Sequence, residues 1–144
     1  MSQHILVPID ESNPSDRALE YALESHQVDD ITVVHVLDPA ELDAYGGVEA
    51  GMMADFAELQ EQRREDAESL MDDVRTRARA AGIDVATEIL TGRPARTIVQ
   101  YAEDNEVDHI VLGSHGRTGA GRILLGSVAE TITRRSPVPV TIIR

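Results

Sequence analysis

The chain has 144 residues, 42% of them hydrophobic but only 3% aromatic, no cysteine, and a formal net charge of −13. That is enough chain for one domain, residues 1–144, with an aliphatic core; it excludes disulfides, thiol catalysis and cysteine-type zinc sites, and its charge argues against nucleic acid and anionic membrane as partners. All 13 basic residues are arginine, so a P-loop, which needs its lysine, is excluded too, and a lysine-free acidic surface points to a halophilic setting of very high salt, where carboxylates hold water and self-repulsion is screened.

The N-terminus enters a strand pattern almost at once, so no signal peptide is expected, and no apolar run is long enough to insert in a membrane. His4 to Ile9 reads as a buried strand. Pro8 should mark the end of its pairing, because proline has no N–H to give. Asp10 follows. Asn13-Pro14 predicts a helix start, with Ala18, Leu19, Ala22 and Leu23 inward and an end near His26. Ile31 to Leu37 is a second buried strand. From Asp38 to about Met53 the pattern dissolves around Pro39, Gly46, Gly47 and Gly51. This connection reads as a variable surface insertion or as a flap in which Met52 and Met53 cover a ligand.

Asp55 to Ala81 predicts a long amphipathic helix with Phe56, Leu59, Ala67, Leu70, Met71, Val74 and Ala78 on one side and Gly82 just past its end. Val85 to Leu90 alternates with polar residues, as an edge strand does. Gly92-Arg-Pro94 opens a third helix with Ala95, Ile98, Val99 and Ala102 inward; Asp108 to Leu112 is a fourth strand; a helix over 127–135 and a strand over 138–143 close the chain. Such repeated alternation predicts a parallel sheet with helices on both faces, a three-layer α/β/α fold.

The stretch from Gly113 to Glu130 stands apart. It runs from strand through a long glycine-rich loop into a helix start, an arrangement that suits an anion because the first helical N–H groups lack internal partners and sit at the positive end of the dipole. Between Gly113 and Ala129 the chain carries Arg117 and Arg122 and no Asp or Glu, a local charge of +2 in an acidic protein. The plainer reading is that Ser127-Val-Ala-Glu130 is a capping box that starts the helix with no ligand present. The two readings are compatible.

Gly113-x-x-Gly116, nine residues, then Gly126-Ser127 resembles the nucleotide-binding signature of the universal stress protein family. Ile5 to Asp10 and Pro137 to Val140 resemble that family too, so the likeness spans essentially the whole chain. The resemblance implies a Rossmann-like, five-stranded parallel sheet of order 3-2-1-4-5, the ATP-binding branch of the family, and a dimer formed through the last strand, 138–143. That strand should lie at an edge, where unpaired backbone seeks a partner. In open parallel sheets ligands bind beyond the carboxyl ends of the strands where the order reverses; with this order the place lies between strands one and four, beside Pro8, Asp10 and Gly113.

Roles follow as expectations. Gly116, Arg117, Gly126, Ser127 and Val128 would hold phosphates, with Ser114 and His115 in the same loop and His115 within reach of the ligand. Gly113 would lie near the ribose, Pro8 would flank sugar or base, and the backbone of Val36 would contact adenine. Asp10 would accept from a ribose hydroxyl or help hold a divalent cation, or it is simply a turn-forming residue. His4, His35 and His109 read as packing or strand-end residues, and no metal-ligand spacing appears. The expected ligand is ATP, or ADP or AMP, with Mg2+ or Mn2+. The function that fits is a cytoplasmic, dimeric, ATP-binding stress-response protein with at most slow hydrolysis. An ATPase or phosphotransferase using the same pocket is the alternative, although no clear base for a nucleophile is visible; an interaction module with no nucleotide is the third.

Overall fold

The computed structural model describes residues 2–10, 12–43, 53–114 and 125–144. Among them the elements run β1 (His4–Pro8), α1 (Asn13–Ser25), β2 (Asp30–Leu37), α2 (Pro39–Asp43), α3 (Met53–Ala80), β3 (Ala86–Thr91), α4 (Pro94–Asp104), β4 (His109–Gly113), α5 (Ser127–Arg135) and β5 (Val140–Ile143). The strands form one parallel sheet in the order β3-β2-β1-β4-β5, as expected, with β3 and β5 at the edges.

Alternation along the central strands divides the core in two. Ile5, Val7, Ile31, Val33 and Val111 face α1 and α3, where Ala18, Leu19, Ala22, Leu23, Met71, Val74 and Ala78 meet them. Leu6, Val34, Ile110 and Leu112 face the other way, onto Ile98 and Ala102 of α4 and Ala129 and Ile132 of α5. Both faces of the sheet are therefore covered, which is why the central strands read as continuous apolar runs. Among the described residues no helix is long and apolar enough to cross a membrane.

Most predicted ends hold. Pro8 is the last paired residue of β1. Gly82 has φ +77, its N–H reaches the Arg79 carbonyl at 2.9 Å, and the Ile83 N–H reaches Ala78 at 2.9 Å. These two bonds are the Schellman pattern, and they need a residue that tolerates positive φ at that point.

Three predictions need correction. First, the apolar side of α3 is not buried along its whole length. Ala67, Met71, Val74 and Ala78 are buried, but Phe56 is 37% exposed. A 28-residue helix is ~42 Å long, whereas the six residues of β3 span ~20 Å, so the front of α3 runs past the carboxyl ends of the strands. Second, the 38–53 connection contains α2. Asp38 starts it, accepting the Ala40 N–H on Oδ1 at 2.9 Å, and Arg63 of α3 braces it through Glu41 at 2.6 Å. Residues 44–52, and with them Met52 of the expected flap, lie outside the described residues. Third, β5 begins two residues late: Ser136 donates to the Val138 carbonyl at 2.7 Å and holds the chain in a turn, and Pro139 has no N–H for the ladder.

Candidate functional site

The carboxyl ends of β1 and β4 lie side by side at the place where the strand order reverses. The turn from β1 into α1 is a closed set of short bonds. Asp10 donates its N–H to Ser15 Oγ at 2.8 Å; Asp10 Oδ1 accepts the Ser12 N–H at 2.7 Å; Ser12 Oγ, the N-cap, accepts the Ser15 N–H at 3.3 Å. Asp10 therefore forms the turn, as its plainer reading expected. Ser12 and Ser15 are both buried. Neither is among the predicted site residues, although a serine followed three places on by another before an apolar helical pattern is a legible cap signal.

Across the crevice, Gly113 ends β4 directly under the start of α1. A Cβ there would lie 2.7 Å from the Pro14 carbonyl carbon and 2.8 Å from the Ser15 nitrogen. The glycine is required by close approach of one backbone to another.

Ser114 is a clamp. Its N–H donates to the Ile143 carbonyl at 2.8 Å, its carbonyl accepts the Gly126 N–H at 2.8 Å, and it is 2% exposed. The chain thus leaves and returns at one point, whatever the course of the loop between. His115, Gly116 and Arg117, expected at the phosphates, fall outside the described residues.

The start of α5 corrects a further expectation. Gly126, with φ −62 and ψ 159, is the N-cap, and Ser127 is already helical. A residue inside the first turn cannot cap it, so the predicted box between Ser127 and Glu130 does not form. Glu130 is instead paired with Arg134 at 2.7 Å. No side chain caps this end of α5 from the N-cap position, and the carboxylate of its first turn, Glu130, is paired with Arg134, so the helix start keeps its positive pole. Ser127 and Val128 are exposed there.

Val36 sits two residues beyond the last β2 residue paired with β1. The Val34 carbonyl accepts the Ile9 N–H on the β1 side, and the Leu37 carbonyl accepts the Gly92 N–H on the β3 side. Since backbone groups alternate between the two sides of a strand, the N–H and C=O of Val36 turn toward the space over the end of β1.

Among the described residues, His4, His35 and His109 bond to the framework, as expected. His4 Nε2 meets Thr32 Oγ1 at 2.8 Å, His109 Nε2 meets Thr141 Oγ1 at 2.6 Å, and His35 Nδ1 meets the Ile9 carbonyl at 2.8 Å. Among the described residues no three His, Asp or Glu side chains converge as a metal-binding group.

The family model described as the universal stress protein family matches residues 1–144. Universal stress protein MJ0577 of Methanocaldococcus jannaschii is 30% identical over 155 aligned residues, which cover 100% of this chain and 96% of that one; its solved structure has a TM-score of 0.83. The universal stress protein UspA of Lactobacillus plantarum is 27% identical, with a TM-score of 0.84 over 99% of this chain and 97% of its own. A family protein of Arabidopsis thaliana, solved with AMP bound, shares the fold at 20% identity, with a TM-score of 0.70 over 98% and 90% of the two chains. A parallel sheet of order 3-2-1-4-5 and a family match from end to end agree: this chain belongs to the universal stress protein family.

Proposed function

We propose that the chain, as one domain, binds ATP or a related adenine nucleotide in the crevice between β1 and β4 and serves as a nucleotide-dependent regulatory protein in the stress response of a cytoplasm rich in salt. The observation that carries this reading is the bond from the Gly126 N–H to the Ser114 carbonyl, which sets the uncapped start of α5 over the end of β4. An anion there would meet the first turn of a helix at its positive pole. Gly126, Ser127 and Val128 would hold phosphates together with Gly116, Arg117 and His115. Pro8 and Gly113 would line the sugar, and the Val36 backbone would take the base. The AMP found in the Arabidopsis relative is consistent with that occupant.

Asp10 spends Oδ1 on its own turn, so Oδ2 is the atom left for a ribose hydroxyl or for a Mg2+ or Mn2+ ion arriving with the phosphates. Such an ion would neutralise phosphate charge. Dimerisation through β5 is part of the proposal, because that edge strand is half-buried along its length in the single chain and its outer backbone is available for pairing.

Mass spectrometry of nucleotide released from freshly purified protein, with phosphate release from Mg·ATP followed at high salt, tests the reading. Bound ATP with negligible turnover is the expected result. Bound ADP with steady turnover would make the protein an ATPase. No bound nucleotide, and no thermal shift with any, would sink the proposal.

A further inference from the structure

We infer that His35 is a positioning residue for the base: by occupying the Ile9 carbonyl it ends the β1–β2 ladder one rung early and leaves the Val36 peptide open to read the edge of adenine. The inference rests on the nucleotide reading above and goes beyond it by assigning base selectivity to a side chain outside the glycine-rich motif.

In a parallel pair, a residue whose backbone faces its neighbour gives its N–H to one partner residue and its C=O to another two places on. Val34 stands in that relation to β1, and its carbonyl accepts the Ile9 N–H at 2.8 Å. The next rung would carry the Val36 N–H to the Ile9 carbonyl. That carbonyl instead meets His35 Nδ1 at 2.8 Å, and the β1–β2 pairing stops at Pro8 and Val34. A carbonyl only accepts, so Nδ1 carries the proton. The ring bends back over the end of β1 from the face of the sheet that also carries Ile31 and Val33. Val36 remains extended, paired with Leu90 on its far side, with one donor and one acceptor turned toward the crevice.

A donor and acceptor on one residue select an edge with the complementary pair. Adenine offers the ring N1 as acceptor and the exocyclic N6–H as donor. Inosine and guanine reverse the two, with O6 as acceptor and N1–H as donor. With the sugar held at β1 and β4, the base enters in one orientation. A reversed edge then sets carbonyl against carbonyl and N–H against N–H, and a site built on hydrogen bonds rejects the mismatched analogue because its own groups are left unpaired.

The experiment is calorimetric titration of ATP and ITP into the full-length chain and into His35→Ala and His35→Asn at high salt. ITP reverses the edge without adding the 2-amino group of guanine. The wild-type chain is expected to prefer ATP by about 10-fold or more. His35→Ala should bring the two affinities to within about 3-fold of each other, and His35→Asn, whose amide donates to the Ile9 carbonyl, should restore the preference. The ratio is read on the folded protein, so a general loss of stability does not imitate the effect. A His35→Ala chain that keeps the wild-type ATP:ITP ratio, even with weaker binding of both, overturns the inference alone. So does a His35→Asn chain that behaves like the alanine variant. A wild-type chain that binds neither nucleotide overturns the nucleotide reading and this inference together.

Discussion

At the amino end of the sheet, side chains finish what the strands leave open. The His4 N–H donates to Asp108 at 2.8 Å, its ring spans Asn105 and Thr32, and Asp29 accepts both the Gln3 N–H at 2.9 Å and His26 at 2.8 Å. Those two partners hold the Asp29 carboxyl below the usual range. Tyr101 is pushed up to about 12 by burial and by its bond to Glu88. At the carboxyl end the same five strands finish differently. A helix begins on glycine with no side-chain cap, β2 runs three residues past its last pairing with β1, and β4 ends on a glycine so that a helix can sit on it. Side chains close the amino end, whereas at the carboxyl end the bonds of the β1–α1 turn and of Ser114 leave the start of α5 without a side-chain cap. That contrast, rather than any single side chain, separates the scaffold from the candidate site.

Substitutions at the two ends should therefore differ in kind. The largest effect is expected at Gly126→Val: its φ of −62 lets any residue adopt the backbone, so the fold should survive while a branched side chain fills the start of α5. ATP affinity should fall by about 100-fold or more, because backbone approach to phosphate is lost, while the unfolding midpoint changes little. Unaltered affinity by calorimetry would place the phosphates elsewhere.

Gly113→Ala tests the opposite case. Its new Cβ meets backbone rather than ligand, so stability should drop by about 1–3 kcal/mol as in an overpacked core. Denaturant unfolding without nucleotide would show it, and an unchanged midpoint would mean that α1 yields freely. Tyr101→Phe, at the closed end, should cost about 0.5–1.5 kcal/mol for its hydrogen bonds and leave nucleotide affinity untouched. A change in affinity would mean that the two ends are coupled.

The smallest effect is a slope with pH. Burial, and then the charge of His26, lower the His109 pKa from 6.5. Below 6.5 the unfolded chain binds the proton more readily than the folded one, so His109 favours folding least in acid. Stability should be fullest above pH 6.5 and decline as pH falls through the lowered value. His26, Asp29, Tyr21 and Asp108 are the other ionisable groups around this end, so the measurement is the difference in slope between wild type and His109→Gln. Equal slopes would remove His109 as a source of the pH dependence.

Much of this was legible in the residues. Runs such as Ile5-Leu-Val7 are apolar because both faces are covered, and helices with a 3.6-residue period recur between them. Gly82 as a helix end, Pro8 as a strand end and the bounds of α5 rest on neighbours within a turn or two. Asp38-Pro39 carried a cap-and-proline signal for α2 that the surrounding glycines obscured. The capping box failed for a local reason: its spacing is right, but the chain enters the helix one residue earlier than the motif assumes.

What the sequence determined by itself is whatever short-range physics decides: element type, the inward faces, the acidic surface and the carboxylate-free loop. Strand order entered only through resemblance, because periodicity says nothing about which strand pairs with which. Tertiary structure alone decided that Gly113 is a glycine for the sake of α1, that Ser114 joins β5 to the start of α5, and that the front of α3 outruns its sheet. It also decided that His35 reaches the Ile9 carbonyl. Each of these depends on groups 12 or more residues apart meeting within a few ångströms, and such a meeting is set by the packing of the whole sheet.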